Sequence, residues 1–282
     1  MITPQIVRDF DDPRVEAYRN VRDADLRGRK HLFMVESEMV VRRLLQSSWS
    51  LHSVFLSPNK FERLADQLTG TCSPIYVADV NLMSEIAGFH IHRGALAAVH
   101  RPCQEALSVD TLMGKLRGKD KITLLLAERI TNVDNMGSLF RNAAAFGVDA
   151  LLFDHQCCDP LYRKAIRVSM GHTLSIPWAV AGDWENVLQR LKEELGITII
   201  GCEIADQAIP LWKVPAVNRA AIVMGEEKSG LSPSTISQCD VIAEIPMSGS
   251  VPSINVSVAS AIALYEFLLR DRLDERQPIN DC

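Results

Sequence analysis

The sequence predicts an α/β protein made of two consecutive α/β domains, the second and larger with a parallel sheet. Three observations predict it. Up to His100 short apolar runs alternate with helical stretches, between residues 101 and 120 the alternation lapses, and from Lys121 it restarts with longer elements. Strand–helix alternation at this spacing builds helices onto a sheet. The later strands are continuous apolar runs rather than every-other-residue ones, as expected of strands buried on both faces in a parallel sheet. These shifts place a first domain at 1–100, a linker at 101–120 and a second domain at 121–282.

The elements follow in order. HLFMV, LHSVFLS, PIYVA and GALAAVH read as strands, with ESEMVVRRLLQS, PNKFERLADQL and DVNLMSEIAG as the helices between them. RPCQEALSVDTLMGKLRGKD has no clear strand and one helical piece. In the second domain ITLLLA and ALLF are buried strands, and ITIIGCEI, AAIVMG and VIAEI supply three more. DWENVLQRLKEELG is the clearest helix, with Asp183 as its N-cap, Glu185 in the first turn and Gly196 as its stop.

Composition bounds the function. With 282 residues, 47% of them hydrophobic, the chain buries a substantial core. No run of about 18 uncharged apolar residues occurs, and acidic residues stand where a signal peptide needs an apolar stretch, so a cytoplasmic location without a membrane partner is expected. Seven cysteines, an odd number without a CxxC pair, fit neither a disulfide framework nor a zinc ribbon, and are read as reduced thiols. The net charge of −5 argues against a uniformly basic nucleic-acid binder. Local charge differs: basic residues gather in RNVRDADLRGRKH (19–31) and LYRKAIRVSMG (161–171).

Three segments after apolar runs place small or amide-bearing residues where a backbone must approach a ligand. In NVDNMGSLFRNAAAFG (132–147) a helix is expected from about Gly137 to Gly147, with Asn135 at or just before its cap. Arg141 then lies one turn inside, among Leu139, Phe140, Ala143, Ala144, Ala145 and Phe146, where a guanidinium must reach past apolar neighbours or serve a purpose. VMGEEKSGLS (223–232) has phosphate-loop spacing, but Leu231 stands where that loop needs Lys, and Glu226 and Glu227 would repel a triphosphate. In MSGSVPSINVSVASAIALYEFLLR (247–270), Ser253 and Asn255 read either as helix caps or as site residues. Ala259, Ser260, Ala261 and Ala263 permit close packing of the following helix.

In order and spacing the three segments resemble the motifs of the SpoU branch of the SPOUT RNA methyltransferases. Asn135, Gly137 and Arg141 match Asp-Pro-x-Asn-x-Gly with an Arg six residues after the Asn, although Asn132 and Val133 stand where Asp-Pro is common. Gly225, Glu227, Gly230 and Leu231 match Gly-x-Glu-x-x-Gly-Leu. Ile245, Met247, Ser253, Ile254 and Asn255 match Ile-Pro-Met followed by Ser-Leu-Asn, with Ile254 for the Leu. The N-terminal domain resembles the substrate-binding domain attached to many such enzymes: Phe33, Val35 and Glu36 are retained, with Ser37 in place of Gly, and HRGALAAV resembles its last strand.

The resemblance implies a SPOUT α/β domain with a C-terminal trefoil knot and a smaller N-terminal RNA-binding domain. It implies transfer of a methyl group from S-adenosylmethionine to a ribose 2′-hydroxyl of tRNA or rRNA, without metal and without DNA as a partner. Arg141 would activate the hydroxyl, oriented with the substrate by Asn135, Glu227, Ser253 and Asn255. Backbone at Gly225, Ile245, Met247 and Ile254, with Gly230 and Leu231 completing the loop, would hold the cofactor. RNA contacts fall to Arg27, Arg29 and Lys30, and to Arg163, Lys164, Arg167 and Ser169. A homodimer is implied, for which Leu264, Tyr265, Phe267 and Leu268 read either as apolar interface surface or as core. A SPOUT enzyme methylating a base, and a non-catalytic RNA-binding or ribosome-assembly protein, stay open as alternatives.

Overall fold

The computed structural model describes residues 3–19, 31–91, 94–249 and 251–273, with side chains to residue 268. Up to His100 the elements are β1 (Gln5–Ile6), β2 (Leu32–Glu36), α1 (Glu38–Leu45), β3 (Leu51–Leu56), α2 (Pro58–Leu68), β4 (Ile75–Val77), α3 (Val80–Ala87) and β5 (Ala95–His100). Then follow α4 (Val109–Leu116), β6 (Ile122–Ala127), α5 (Val133–Phe146), β7 (Ala150–Asp154), α6 (Arg163–Val168), β8 (Trp178–Ala181) and α7 (Trp184–Leu195). The chain continues through β9 (Thr198–Cys202), β10 (Ile209–Pro210), β11 (Arg219–Met224), α8 (Pro233–Gln238), β12 (Val241–Glu244) and α9 (Val256–Leu273). Contacts divide it into two compact units, Met1–Cys103 with Asp159–Ser175, and Gln104–Cys158 with Ile176–Cys282.

The first unit is a mixed sheet in the order β1-β4-β3-β5-β2, with β5 antiparallel to both β2 and β3. A 3-10 turn at Pro13–Tyr18, absent from the sequence expectation, buries Tyr18 completely. Its phenol lies 2.8 Å from the Ser53 hydroxyl and accepts the Ala98 N–H, and burial pushes its pKa above the ordinary tyrosine value. The excursion Asp159–Ser175 belongs to this unit. Within it α6 packs on β2, the Trp49 indole donates to the Leu174 carbonyl at 2.9 Å, and Arg101 pairs with Asp159 at 2.7 Å.

The second unit is a seven-stranded sheet in the order β10-β12-β9-β11-β6-β7-β8, parallel at every pairing. Its strands read as unbroken apolar runs because both faces are covered. On one face Leu112, Met113 and Leu116 of α4 and Leu188 and Leu191 of α7 close over Leu124, Leu126, Leu152 and Ile199. Elsewhere α5 and α9 pack together, and Phe140 of α5 meets Phe153 and Trp178 at ring separations of 5.5 and 6.3 Å. Asp183 caps α7 by accepting the Asn186 N–H, and Gly196 ends it in the left-handed region, as the sequence indicates.

One local expectation changes, and an open one is decided. The first turn of α5 begins at Val133, because Asn132 rather than Asn135 is the cap, its side chain accepting the N–H groups of Asp134 and Asn135. Leu264, which the sequence leaves open between interface and core, is fully buried in the chain's own core. Among the described residues no helix is long and apolar enough to cross a membrane.

Candidate functional site

Because the sheet is parallel, the carboxyl ends of β6, β9, β11 and β12 open on one edge, the place where α/β sheets bind ligands. The loops leaving β11 and β12 carry Gly225 to Leu231 and Ile245 to Asn255, and the one leaving β6 enters α5. Freed from capping, the buried Asn135 donates its side-chain N–H to Glu227 Oε1 at 2.6 Å. Asn255 donates to the same oxygen at 2.7 Å and to Asn135 Oδ1 at 3.1 Å. Asn255 also caps α9, its Oδ1 accepting the Ser257 N–H at 2.8 Å. Its amide oxygen thus makes the cap that one sequence reading expects, and its amide nitrogen joins Asn135 and Glu227.

Beside this triad lies a cavity of about 520 Å³, within the ordinary size range of small-molecule sites. Gly225, Gly230, Ile245, Met247, Ser253 and Ile254 line it together with Glu227. Gly225 is required there: a Cβ would lie 2.4 Å from the Gly230 carbonyl carbon and 2.5 Å from the Leu231 nitrogen. Gly230 is left-handed, and its missing side chain leaves space occupied by the Glu203 carboxylate. Cys202 also lines the cavity, but burial pushes its thiol up to about 12, so it stays protonated and is no nucleophile.

Other sequence-selected residues fall outside this cluster. Ser253 lines the cavity without joining the triad's hydrogen bonds. Leu231 sits in the hydrophobic core, and only its N–H reaches the site, donating to Glu203 Oε2 at 2.7 Å. Arg141 is exposed on α5, and no hydrogen bond or ion pair holds it among the described residues. Its neighbour Asn142 donates to the Ser257 carbonyl and to the Ser260 hydroxyl of α9, at 2.6 and 2.9 Å. In the first unit Lys164 and Arg167 are exposed, Arg163 lies over the Phe89 ring at 3.8 Å, and Ser169 is buried with its hydroxyl bonded to the Ile166 carbonyl. Arg27, Arg29 and Lys30 lie outside the described residues.

Three residues of this edge carried no signal in the sequence. Glu203 at the end of β9 anchors the Gly230–Leu231 turn, and Glu128 after β6 accepts the Ser232 N–H at 2.9 Å. Arg129 follows Glu128 and donates to the Gly230 carbonyl at 2.9 Å from a left-handed backbone, φ 56°. A lone arginine or glutamate after a strand is common, and only the register of the parallel sheet brings these three together.

The family model described as the SpoU rRNA methylase family matches residues 122–265, which hold the whole triad and cavity. The chain belongs to this family. A Mycobacterium tuberculosis protein named as an uncharacterized tRNA/rRNA methyltransferase is 38% identical over 269 residues, 93% of this chain and 91% of its own length. A 23S rRNA (guanosine-2′-O-)-methyltransferase of Acinetobacter baylyi is 34% identical over 185 residues, 65% of this chain and 73% of that one. Among solved structures, an AdoMet-bound rRNA methyltransferase of Sinorhizobium meliloti shares the fold with a TM-score of 0.80 at 19% identity, over 95% of this chain and 98% of that one.

Proposed function

We propose that the protein is an S-adenosylmethionine-dependent RNA methyltransferase acting on a ribose 2′-hydroxyl of rRNA or tRNA. The observation that carries the reading is the Asn135–Glu227–Asn255 triad against a glycine-floored cavity, in a chain of the SpoU rRNA methylase family. The names of the relatives, a tRNA/rRNA methyltransferase and a guanosine-2′-O-methyltransferase, support it.

The cavity fits the cofactor. Glu203, Glu226, Glu227 and Glu244 line it against one ammonium, Lys228, a balance suited to a ligand bearing sulfonium and ammonium groups and hostile to polyphosphate. Backbone groups at Gly225, Ile245, Met247 and Ile254 would hold it, with Gly230 and Leu231 fixing the loop. Once bound, the cofactor supplies an electrophilic methyl on sulfur. The chain's own residues then have to orient the ribose and help a weakly acidic hydroxyl lose its proton. The triad orients the ribose through the Glu227 carboxylate, whose direction the two amides set, and Ser253 borders the same space.

Hydroxyl activation falls to Arg141. It lies six helical positions on from Asn135, a rise of about 9 Å with a turn onto a different face, so its own triad is not its natural target. A homodimer resolves this. Val258, Ile262 and Tyr265, spaced i, i+4 and i+7 on α9, are 49, 39 and 47% exposed and form an apolar stripe for a second copy. Across that interface Arg141 completes the triad of the other subunit. RNA capture is assigned to Arg163, Lys164 and Arg167 with Arg27, Arg29 and Lys30. Ser169 is left out because its hydroxyl is buried.

The test is transfer of labelled methyl from S-adenosylmethionine to rRNA and tRNA taken from cells lacking the protein, followed by digestion to nucleosides. Label in a 2′-O-methylnucleoside is expected. Label on a base would favour the base-methylating alternative, and no transfer to any RNA would leave the non-catalytic one.

A further inference from the structure

We infer that a second cavity on the same edge is a phosphodiester site, receiving the RNA phosphate next to the reacting ribose, with Arg129 as its cation. This rests on the methyltransferase reading and deepens it. The cavity measures about 330 Å³, and its lining includes Arg129, Thr131, Asn132, Asn135, Glu227 and Lys228. It shares Asn135 and Glu227 with the triad, so whatever fills it adjoins the group the triad orients.

The backbone of Arg129 shows what the position keeps. At φ 56° it occupies the left-handed region, where a side chain is disfavoured and glycine is at ease. The surroundings enforce this: the Arg129 N–H donates to Asp154 Oδ1 at 3.0 Å, the Ile130 N–H to Cys157 Sγ at 3.2 Å, and the Cys158 N–H to the Ile130 carbonyl at 2.8 Å. A strained residue held on several sides at a ligand-binding edge points to a side chain with a task.

The guanidinium is incompletely used. One Nη2 hydrogen bond goes to the Gly230 carbonyl, while Nε is buried with no hydrogen-bond partner. No carboxylate forms an ion pair with it among the described residues, although two line the same cavity. Both of these are engaged elsewhere: Glu227 Oε1 by the two triad amides, Glu226 Oε2 by the Ser229 hydroxyl at 2.6 Å. That Nε is enclosed, whereas Nη1 is not and has no hydrogen-bond partner among the described residues, so Nη1 with the free edge of Nη2 is what the cavity offers a phosphate oxygen, in the planar geometry that a guanidinium matches. Lys228, exposed and unpaired among the described residues, offers a second positive charge. Carboxylates for hydroxyls and cations for phosphate suit one ribose-phosphate unit, the size the cavity admits.

The test compares wild type with Arg129→Gly, which removes the guanidinium and also relieves the left-handed backbone. An unmethylated rRNA transcript is the probe, bound over a range of salt concentrations. RNA binding, measured without cofactor, is expected to weaken about tenfold, while loss of the hydrogen bond to the Gly230 carbonyl reads separately in the melting temperature and in S-adenosylmethionine affinity. The slope of log K against log salt should fall by about 0.7–1, the signature of one lost phosphate contact. Unchanged RNA affinity and salt slope with a lowered melting temperature would overturn the proposal, making Arg129 a bolt on the Gly230 carbonyl. A reduced salt slope in a protein whose wild type methylates no RNA would instead retain the phosphate site and reject the methyltransferase reading.

Discussion

Gly225→Ala isolates the cofactor loop by sterics alone. The new Cβ would stand 2.4 Å from the Gly230 carbonyl carbon, about 1 Å inside the 3.4 Å at which ordinary contact begins. The obstacle is backbone on both counts, Gly230 and Leu231, so no side-chain rotation relieves it. The 226–230 turn must shift by about that distance, against the Glu203 and Glu128 carboxylates that hold its far end. Overpacking of this kind costs about 1–3 kcal/mol. If binding requires the turn to return, S-adenosylmethionine affinity falls by about 5- to 150-fold, while the melting temperature drops by about 2–4 °C for each kcal/mol. Isothermal calorimetry reads the first and scanning calorimetry the second. Gly249→Ala, in the neighbouring loop with no atom within 4 Å of its Cβ position, is the control and should bind normally. Cofactor binding by Gly225→Ala within twofold of wild type, or equal impairment of Gly249→Ala, would refute the steric reasoning.

Arg141→Ala and Glu227→Ala should each lower single-turnover methyl transfer by about a hundredfold or more. Mixed in equal amounts and allowed to exchange subunits, the two should regain about a quarter of wild-type activity, since about half of the dimers are then heterodimers with one intact site of two, and no regain would place Arg141 in its own subunit's site. Ile262→Glu should give a monomer by light scattering with little loss of fold, and a persistent dimer would show that the apolar stripe is not the interface. Glu38 is held down to about 2, chiefly by its hydrogen bond from Lys60 and then by Arg42. A depressed carboxylate contributes stability above its ordinary pKa and loses it as pH falls through the folded value. Glu38→Gln should therefore destabilise by about 1–2 kcal/mol at pH 7, after discounting for solvent at this partly exposed group. Urea unfolding should show the gap shrinking below about pH 4.5, and a gap independent of pH would contradict the assignment.

The long strands were readable because burial on both faces writes itself as an apolar run: ITLLLA became β6 and AAIVMG the greater part of β11. Helix ends with a clear cap and a stopping glycine, as in Asp183 to Gly196, were readable too. What failed was decided by partners distant in sequence. Asn132 and Asn135 are equally good caps locally, and Glu227, some ninety positions on, is what draws Asn135 into the site. The left-handed Arg129 is fixed by Asp154 and Cys157 and left no trace in its own neighbourhood. The buried Tyr18 depends on Ser53 and Ala98, and β1 is only two residues long. The triad was legible as a spacing of motifs, whereas which amide end faces which oxygen required the fold.

The excursion Asp159–Ser175 makes the first unit discontinuous along the chain. A protease nicking the backbone near Cys103 would therefore not liberate it as a free fragment, since residues 159–175 stay docked through the Arg101–Asp159 pair, the Trp49 indole and the buried Leu161, Ile166 and Leu174. Grafting the unit onto another protein would likewise demand transplanting two pieces of sequence. A chain begun after Cys103 would leave the second unit carrying residues 159–175 as an internal loop whose apolar residues have lost their cover. Inheritance of the two units is thus coupled, and recombination has no single seam along which to separate them.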